Sequence, residues 1–152
     1  MATVLPRLSN RDVKNISPAY YSAILALGDT ADGAGIEKEL WELSSLRASQ
    51  INGCAYCVHY HLSLLRELGV SQVKIDLTVV WDESGIFSER ECAAFAWTEA
   101  LTLISDTRVP DDVYARVSAV FSDAELIALT ASITTINVWN RLSIAFRFPP
   151  EV

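Results

Sequence analysis

The chain has 152 residues, 51% of them hydrophobic, which is enough for one domain with a real core. Its net charge is −7 and no basic cluster appears, so it lacks the footprint of a nucleic-acid binder. Apolar runs are only a few residues long, too short to span a membrane.

Taken in order, the elements read as helices throughout. Ser17-Pro18 is an N-cap with proline at the first helical position, predicting a helix through Leu27. A loop follows over residues 28–35. A second helix is expected from about Ile36 to Ile51, interrupted at Asn52-Gly53. A third starts near Cys54 and stops at Gly69, a natural C′ residue. A short helix from Ser71 leads to a turn at DESG, 82–85. Ser88 with Glu91 is a capping box opening a helix through Leu103, and Ser122 with Glu125 opens another towards Phe146. Pro110 starts a short helix between them. The expectation is a single all-α domain over residues 1–152, with six to seven helices.

The opening segment, MATVLPRLSNRDVKN, carries charges where a signal peptide needs an apolar stretch, so a cytoplasmic protein is expected. The apolar excess (mean hydropathy +0.24) predicts surface buried between subunits. Of three cysteines, two sit as C-x-x-C. In a reducing compartment that spacing points to redox or metal chemistry.

The chemistry concentrates in NGCAYCVHYH, residues 52–61. At ~100° per helical residue, Cys54, Cys57 and His61 fall within an arc of ~60°, and His59 lies on the other side. Structural zinc usually takes four ligands, two from each of two separated units. Here three share one helix. Cys92 or Glu42 would have to be the fourth, in no recognised zinc spacing, so no metal is expected. Covalent haem needs histidine directly after the second cysteine, and Val58 stands there.

Redox chemistry asks for less. First-turn helix amides favour a thiolate, and two cysteines three apart can close a disulfide. Lowering a thiol pKa from ~8.5 to ~7 raises its ionised fraction about 16-fold. Weaker nucleophilicity cancels all but about threefold of that gain. A peroxide substrate therefore also needs a proton on its leaving oxygen. His61, one turn past Cys57, is placed to deliver it, with a carboxylate to orient the ring. Glu42 is the candidate carboxylate. It begins a polar line, Glu42, Ser45 and Ser49, along an otherwise apolar helix.

These residues form E-x11-C-x2-C-x3-H, and the pattern resembles the AhpD-like branch of the carboxymuconolactone decarboxylase family. The likeness continues through FSERECAAFAWTEAL and FSDAELIALTASITTINVWNRLSIAF, covering most of residues 36–147. The resemblance implies an all-helical subunit of a homo-oligomer, commonly a trimer or hexamer, with alkylhydroperoxidase-type peroxidase activity. It implies Cys57 as the peroxidatic thiol, Cys54 as its more exposed resolving partner, and Glu42 with His61 as a proton relay. It also implies a thiol reductant: a dihydrolipoyl protein, a thioredoxin-like protein or a small thiol. Tyr56 stands between the cysteines where the AhpD type has histidine. The decarboxylase members lack the cysteine pair, which argues against lactone decarboxylation.

Other polar groups read as structural. His59 suits a helix side or subunit contact, Tyr56 and Tyr60 suit packing, and Cys92 suits the core. Asn137, Asn140 and Arg141 read as hydrogen-bonding groups inside an apolar helix. Two further functions stay open beside the peroxidase. One is a disulfide reductase or thiol relay for a protein or lipoyl partner. The other is a non-catalytic oligomer that senses redox state or binds a metal.

Overall fold

The computed structural model describes residues 5–31 and 33–150, and every regular element among them is a helix. α1 (Asn10–Ile16) is set by a capping box between Ser9 and Asp12. The signal in the sequence is weak, because aspartate replaces the usual glutamate or glutamine. α2 (Pro18–Asp29) has proline in its first turn and runs two residues past Leu27, though the Ser17 side chain makes no cap bond. α3 (Lys38–Asn52) ends at Gly53, whose φ of 69° is the left-handed conformation a C′ residue needs. α4 (Ala55–Glu67) follows directly, with Cys54 as its N-cap.

α5 (Gln72–Leu77) passes through a 3-10 turn (Thr78–Val80) into α6 (Trp81–Ser84). The turn expected at 82–85 is therefore a helical turn that Gly85 closes in the left-handed region. α7 (Glu89–Thr102) opens on the Ser88–Glu91 box. α8 (Ile104–Thr107) is a single turn, and α9 (Asp111–Ser118) has Pro110 before its first residue. α10 (Asp123–Phe146) opens on the Ser122–Glu125 box. Among the described residues seven helices have seven residues or more, and α5, α6 and α8 are the shorter turns linking them.

α3 is the central helix. Leu40, Leu43, Leu46 and Ala48 are all buried, together with Glu42, Ser45 and Ser49. A helix buried all round must pack on several sides, and α3 packs against α4, α7 and α10. Leu40 joins Trp97 of α7, Val117 of α9 and Leu129 of α10 in one core cluster. Leu43 and Leu46 join Leu65, Ile75, Trp81 and Phe95 in another. The cysteine turn is held between α3 and α10, whose Ala48 and Ile136 pack with both cysteines.

At the far end Arg90 ties loops to α10. Its guanidinium donates to Glu125 Oε1 at 2.7 Å and to the Val120 carbonyl at 2.8 Å, and it lies 4.1 Å from the Phe121 ring centre. Hydrogen bonds from the Ser122 backbone and side chain, with Arg90 beside them, hold the Glu125 carboxyl down at about 2. Lys74 bridges Glu39 and Glu91. Burial works to lower Lys74, but the two carboxylates outweigh it and leave its pKa raised. No helix among the described residues is long and apolar enough to cross a membrane.

Candidate active site

The α3–α4 turn builds the site. Gly53 lets the chain reverse within one residue, and Cys54 N–H closes the end of α3 on the Ser49 carbonyl at 3.0 Å. Cys54 then caps α4: its Sγ accepts from the Cys57 N–H at 3.3 Å. Cys57 lies one turn in, its Cα 5.4 Å from that of Cys54, and the two are paired as a disulfide. The pairing agrees with the spacing, since C-x-x-C at a helix start brings both sulfurs to one side.

Glu42 reaches the same place from α3. Its Oε2 lies 2.7 Å from His61 Nδ1, and both side chains are buried. A carboxylate only accepts, so Nδ1 carries the proton in this pair and Nε2 is the nitrogen left to exchange one. Tyr60 touches the His61 ring edge-on, centroids 5.3 Å apart. Burial, then the Glu42 charge, pushes the Tyr60 phenol above its ordinary pKa, so it stays protonated near neutrality.

A cavity of about 320 Å³ opens on this group, walled by α1, α2, α3, α4 and α10. Glu42, Cys57 and His61 line it, together with the aromatic rings of Tyr21, Trp41, Tyr56, Tyr60 and Trp139. Cys54 is absent from that wall. The resemblance implies that Cys54 is the more exposed of the pair; here both cysteines are buried, and Cys57 lines the cavity. As N-cap, Cys54 turns its sulfur back to the first-turn amide, and both cysteines pack with Ala48 and Ile136.

Some site residues had no signal in the sequence. Ser143 of α10 lies with its Oγ 3.6 Å from Cys57 Sγ, within hydrogen-bonding range of sulfur. It is 86 positions from Cys57 in the chain, and only the folded contact reveals it. Tyr56 and Tyr60, read as packing residues, both stand on the cavity wall, and Asn10 Nδ2 donates to the Tyr56 hydroxyl at 3.2 Å. The polar line of α3 divides: Ser45 lines the cavity, while Ser49 accepts from Asn140 Nδ2 at 3.0 Å. Asn52 donates to the Oδ1 atoms of Asn137 and Asn140, and Arg141 donates to Asn137. This network straps the end of α3 to α10 directly behind the cysteine turn.

His59 is half-buried and off the cavity wall. Cys92 lies apart on α7, its Sγ 3.8 Å from the Phe87 carbonyl, and burial pushes its thiol pKa up. Among the described residues no three His, Cys, Asp or Glu side chains converge as metal ligands would.

A sequence model of the carboxymuconolactone decarboxylase family matches residues 18–100, a span that holds Glu42, both cysteines and His61. The chain belongs to the carboxymuconolactone decarboxylase family. Within it the chain falls in the AhpD-like branch. The uncharacterized protein YdfG of Bacillus subtilis is 35% identical over 130 residues, covering 86% of this chain and 88% of that one. A crystal structure from Agrobacterium tumefaciens, of a protein of unknown function proposed to be the antioxidant-defence protein AhpD, superposes with a TM-score of 0.90. It is 38% identical and covers 97% of this chain and 99% of its own. The alkyl hydroperoxide reductase AhpD of Azorhizobium caulinodans is 42% identical over 45 residues, a local match to 30% of this chain and 25% of that protein. The all-helical fold expected from the sequence is the fold observed.

Proposed function

We propose that this family member is a thiol-dependent peroxidase that reduces hydrogen peroxide or organic hydroperoxides through Cys54 and Cys57, with a thiol as electron source. One observation carries the reading: a buried Glu42–His61 pair, 2.7 Å apart, opens onto the same cavity as Cys57. A redox pair kept only for structure has no use for a proton relay beside one sulfur.

The cycle starts from the dithiol. His61 Nε2 takes the proton of the Cys57 thiol, Glu42 balancing the imidazolium that forms, and the Cys57 thiolate attacks the terminal peroxide oxygen. The O–O bond breaks, and the leaving alkoxide or hydroxide takes that proton back from His61 Nε2 and departs as an alcohol or water. Cys57 is left as a sulfenic acid. The Cys54 thiol attacks the Cys57 sulfur, the disulfide forms, and the hydroxyl leaves as water. Two reductant thiols return two electrons and two protons, and are themselves oxidised to a disulfide. The reductant meets Cys57 first, because Cys57 lines the cavity. Cys54 then leaves as a thiolate stabilised by the Cys57 N–H and the helix N-terminus.

Both sulfurs are at most 3% exposed, which favours a slender dithiol arm or small thiol over the flat face of a folded protein. Such a cycle belongs in a reducing compartment such as the cytoplasm. The test is peroxide consumption with dihydrolipoamide, thioredoxin and glutathione in parallel. The expected result is one dithiol oxidised per peroxide consumed, fastest with the slender dithiol. No turnover with any reductant overturns the reading.

A further inference from the structure

Hydroxyl side chains along α10 mostly turn back to their own helix. Thr130, Thr134 and Thr135 each bond to the carbonyl four residues earlier, at 2.7–2.8 Å. Ser143 does not. Its Oγ lies 3.6 Å from Cys57 Sγ, the one hydrogen bond that side chain makes among the described residues. Ser143 is 3% exposed, so the contact is made out of bulk water, where a hydrogen bond is stronger.

Chemistry gives the bond its direction. A disulfide sulfur carries no proton, so the Ser143 hydroxyl donates and Cys57 accepts. Paired sulfur is a weak acceptor, and a charged thiolate is a far better one. The hydroxyl is therefore aimed at an atom that holds it firmly only once Cys57 is reduced and ionised.

The two sulfurs have separate donors. Cys54 Sγ accepts from the Cys57 N–H at 3.3 Å, inside the first turn of α4. Cys57 Sγ takes its donor from α10, a different helix. The titratable groups on the cavity wall that Cys57 shares are Tyr21 and Asp29 of α2, Glu42 of α3, and Tyr56, Tyr60 and His61 of α4. The residues of α1 and α10 on that wall bring none. Asp29 is exposed. His61 turns positive when it takes the thiol proton, but Glu42 lies 2.7 Å from the same ring and offsets that charge. A thiolate at Cys57 thus depends on dipoles as well as on His61: the start of α4 and the hydroxyl of Ser143.

We propose that the Ser143 hydroxyl is a catalytic hydrogen-bond donor that holds the Cys57 sulfur as a thiolate. Its part in turnover rests on the peroxidase reading. There His61 Nε2 takes the thiol proton, while Ser143 keeps its own and donates it as a hydrogen bond to the sulfur left charged.

The thiol is read directly, without turnover. Reduced Cys54→Ser, with and without Ser143→Ala, is alkylated with iodoacetamide across pH, and the rate at Cys57 is followed by mass spectrometry. Removing the hydroxyl should move the alkylation midpoint at Cys57 up by about one pH unit. Ser143→Thr keeps a hydroxyl and should titrate with the parent. Cys92, apart on α7, should titrate alike in all three. Cys54, read in Cys57→Ser with and without Ser143→Ala, should not move, because its donor is a backbone amide. In the full cycle near pH 7, Ser143→Ala should slow peroxide reduction about threefold, a tenfold loss of thiolate partly offset by a stronger nucleophile. A Cys57 midpoint unchanged by Ser143→Ala overturns the proposal. So does an equal shift at Cys54, which would mark a general loosening of the turn, or a threonine variant that matches alanine. A Cys57 shift in a protein that consumes no peroxide with any reductant would instead sink the peroxidase reading and leave the donor standing.

Discussion

Glu42 and His61 are 6% and 7% exposed, and among the described residues neither has a second charged partner. Removing one partner leaves the other buried and unmatched, so each single change should cost as much as losing the pair. Glu42→Gln and His61→Ala should each slow peroxide reduction by ~10²–10⁴, the ordinary range for an acid–base group. The double variant should be little worse than the poorer single one. Rates on variants that keep the parent circular dichroism check this, and fully additive losses would mean the two residues act separately. This part of the site was legible in the sequence, because residue type, helical spacing and the polar line of α3 all converged on it. The packing around the cysteines was not. It depends on Ile136 and Ser143 of α10, far along the chain: Ile136 packs with both cysteines, and Ser143 Oγ lies 3.6 Å from the Cys57 sulfur.

At the scale of elements, capping chemistry made the long helices readable. Ser88–Glu91 and Ser122–Glu125 are both closed boxes, and Gly53 and Gly69 take the positive φ values that end α3 and α4. Where a signal was weaker the reading failed. Ser9–Asp12 is a box without glutamate, and Trp81–Ser84 is too short a helix for periodicity to register. The Ser122–Glu125 box has a consequence in acid. Glu125 is held at about 2 against an ordinary 4.5, so its folded state favours the carboxylate. That stabilisation is complete above pH 4.5 and is lost as pH falls through about 2. Acid titration of folding should therefore show a Glu125-dependent loss between those two values, and Glu125→Gln should flatten the curve there. A curve in Glu125→Gln that parallels the parent throughout the window would rule the box out as an acid-labile element.

At the scale of the whole molecule, α2 is the anomaly. Its sequence, PAYYSAILALGD, is apolar nearly all round, yet Ile24 is its one buried residue, and Tyr20, Leu25 and Leu27 lie exposed. An apolar helix left half-uncovered calls for a partner surface, and the apolar excess of the sequence asked for the same thing. We predict a symmetric homo-oligomer, with the exposed face of α2 at the contact. Sedimentation equilibrium at micromolar concentration should give a multiple of 16.8 kDa, and Leu25→Glu or Leu27→Glu should shift it towards the monomer. A parent that runs only at 16.8 kDa would exclude the oligomer.

The central claim is that Cys57, on the cavity beside the Glu42–His61 pair, is the sulfur that meets peroxide. Its most direct measurement is one equivalent of hydroperoxide added to reduced Cys54→Ser and to reduced Cys57→Ser, followed by dimedone and mass spectrometry. The prediction is a sulfenic-acid adduct on Cys57 in Cys54→Ser, with one equivalent of peroxide consumed and no further turnover, and no adduct in Cys57→Ser. An adduct on Cys54 in Cys57→Ser, with peroxide still consumed, would contradict the account.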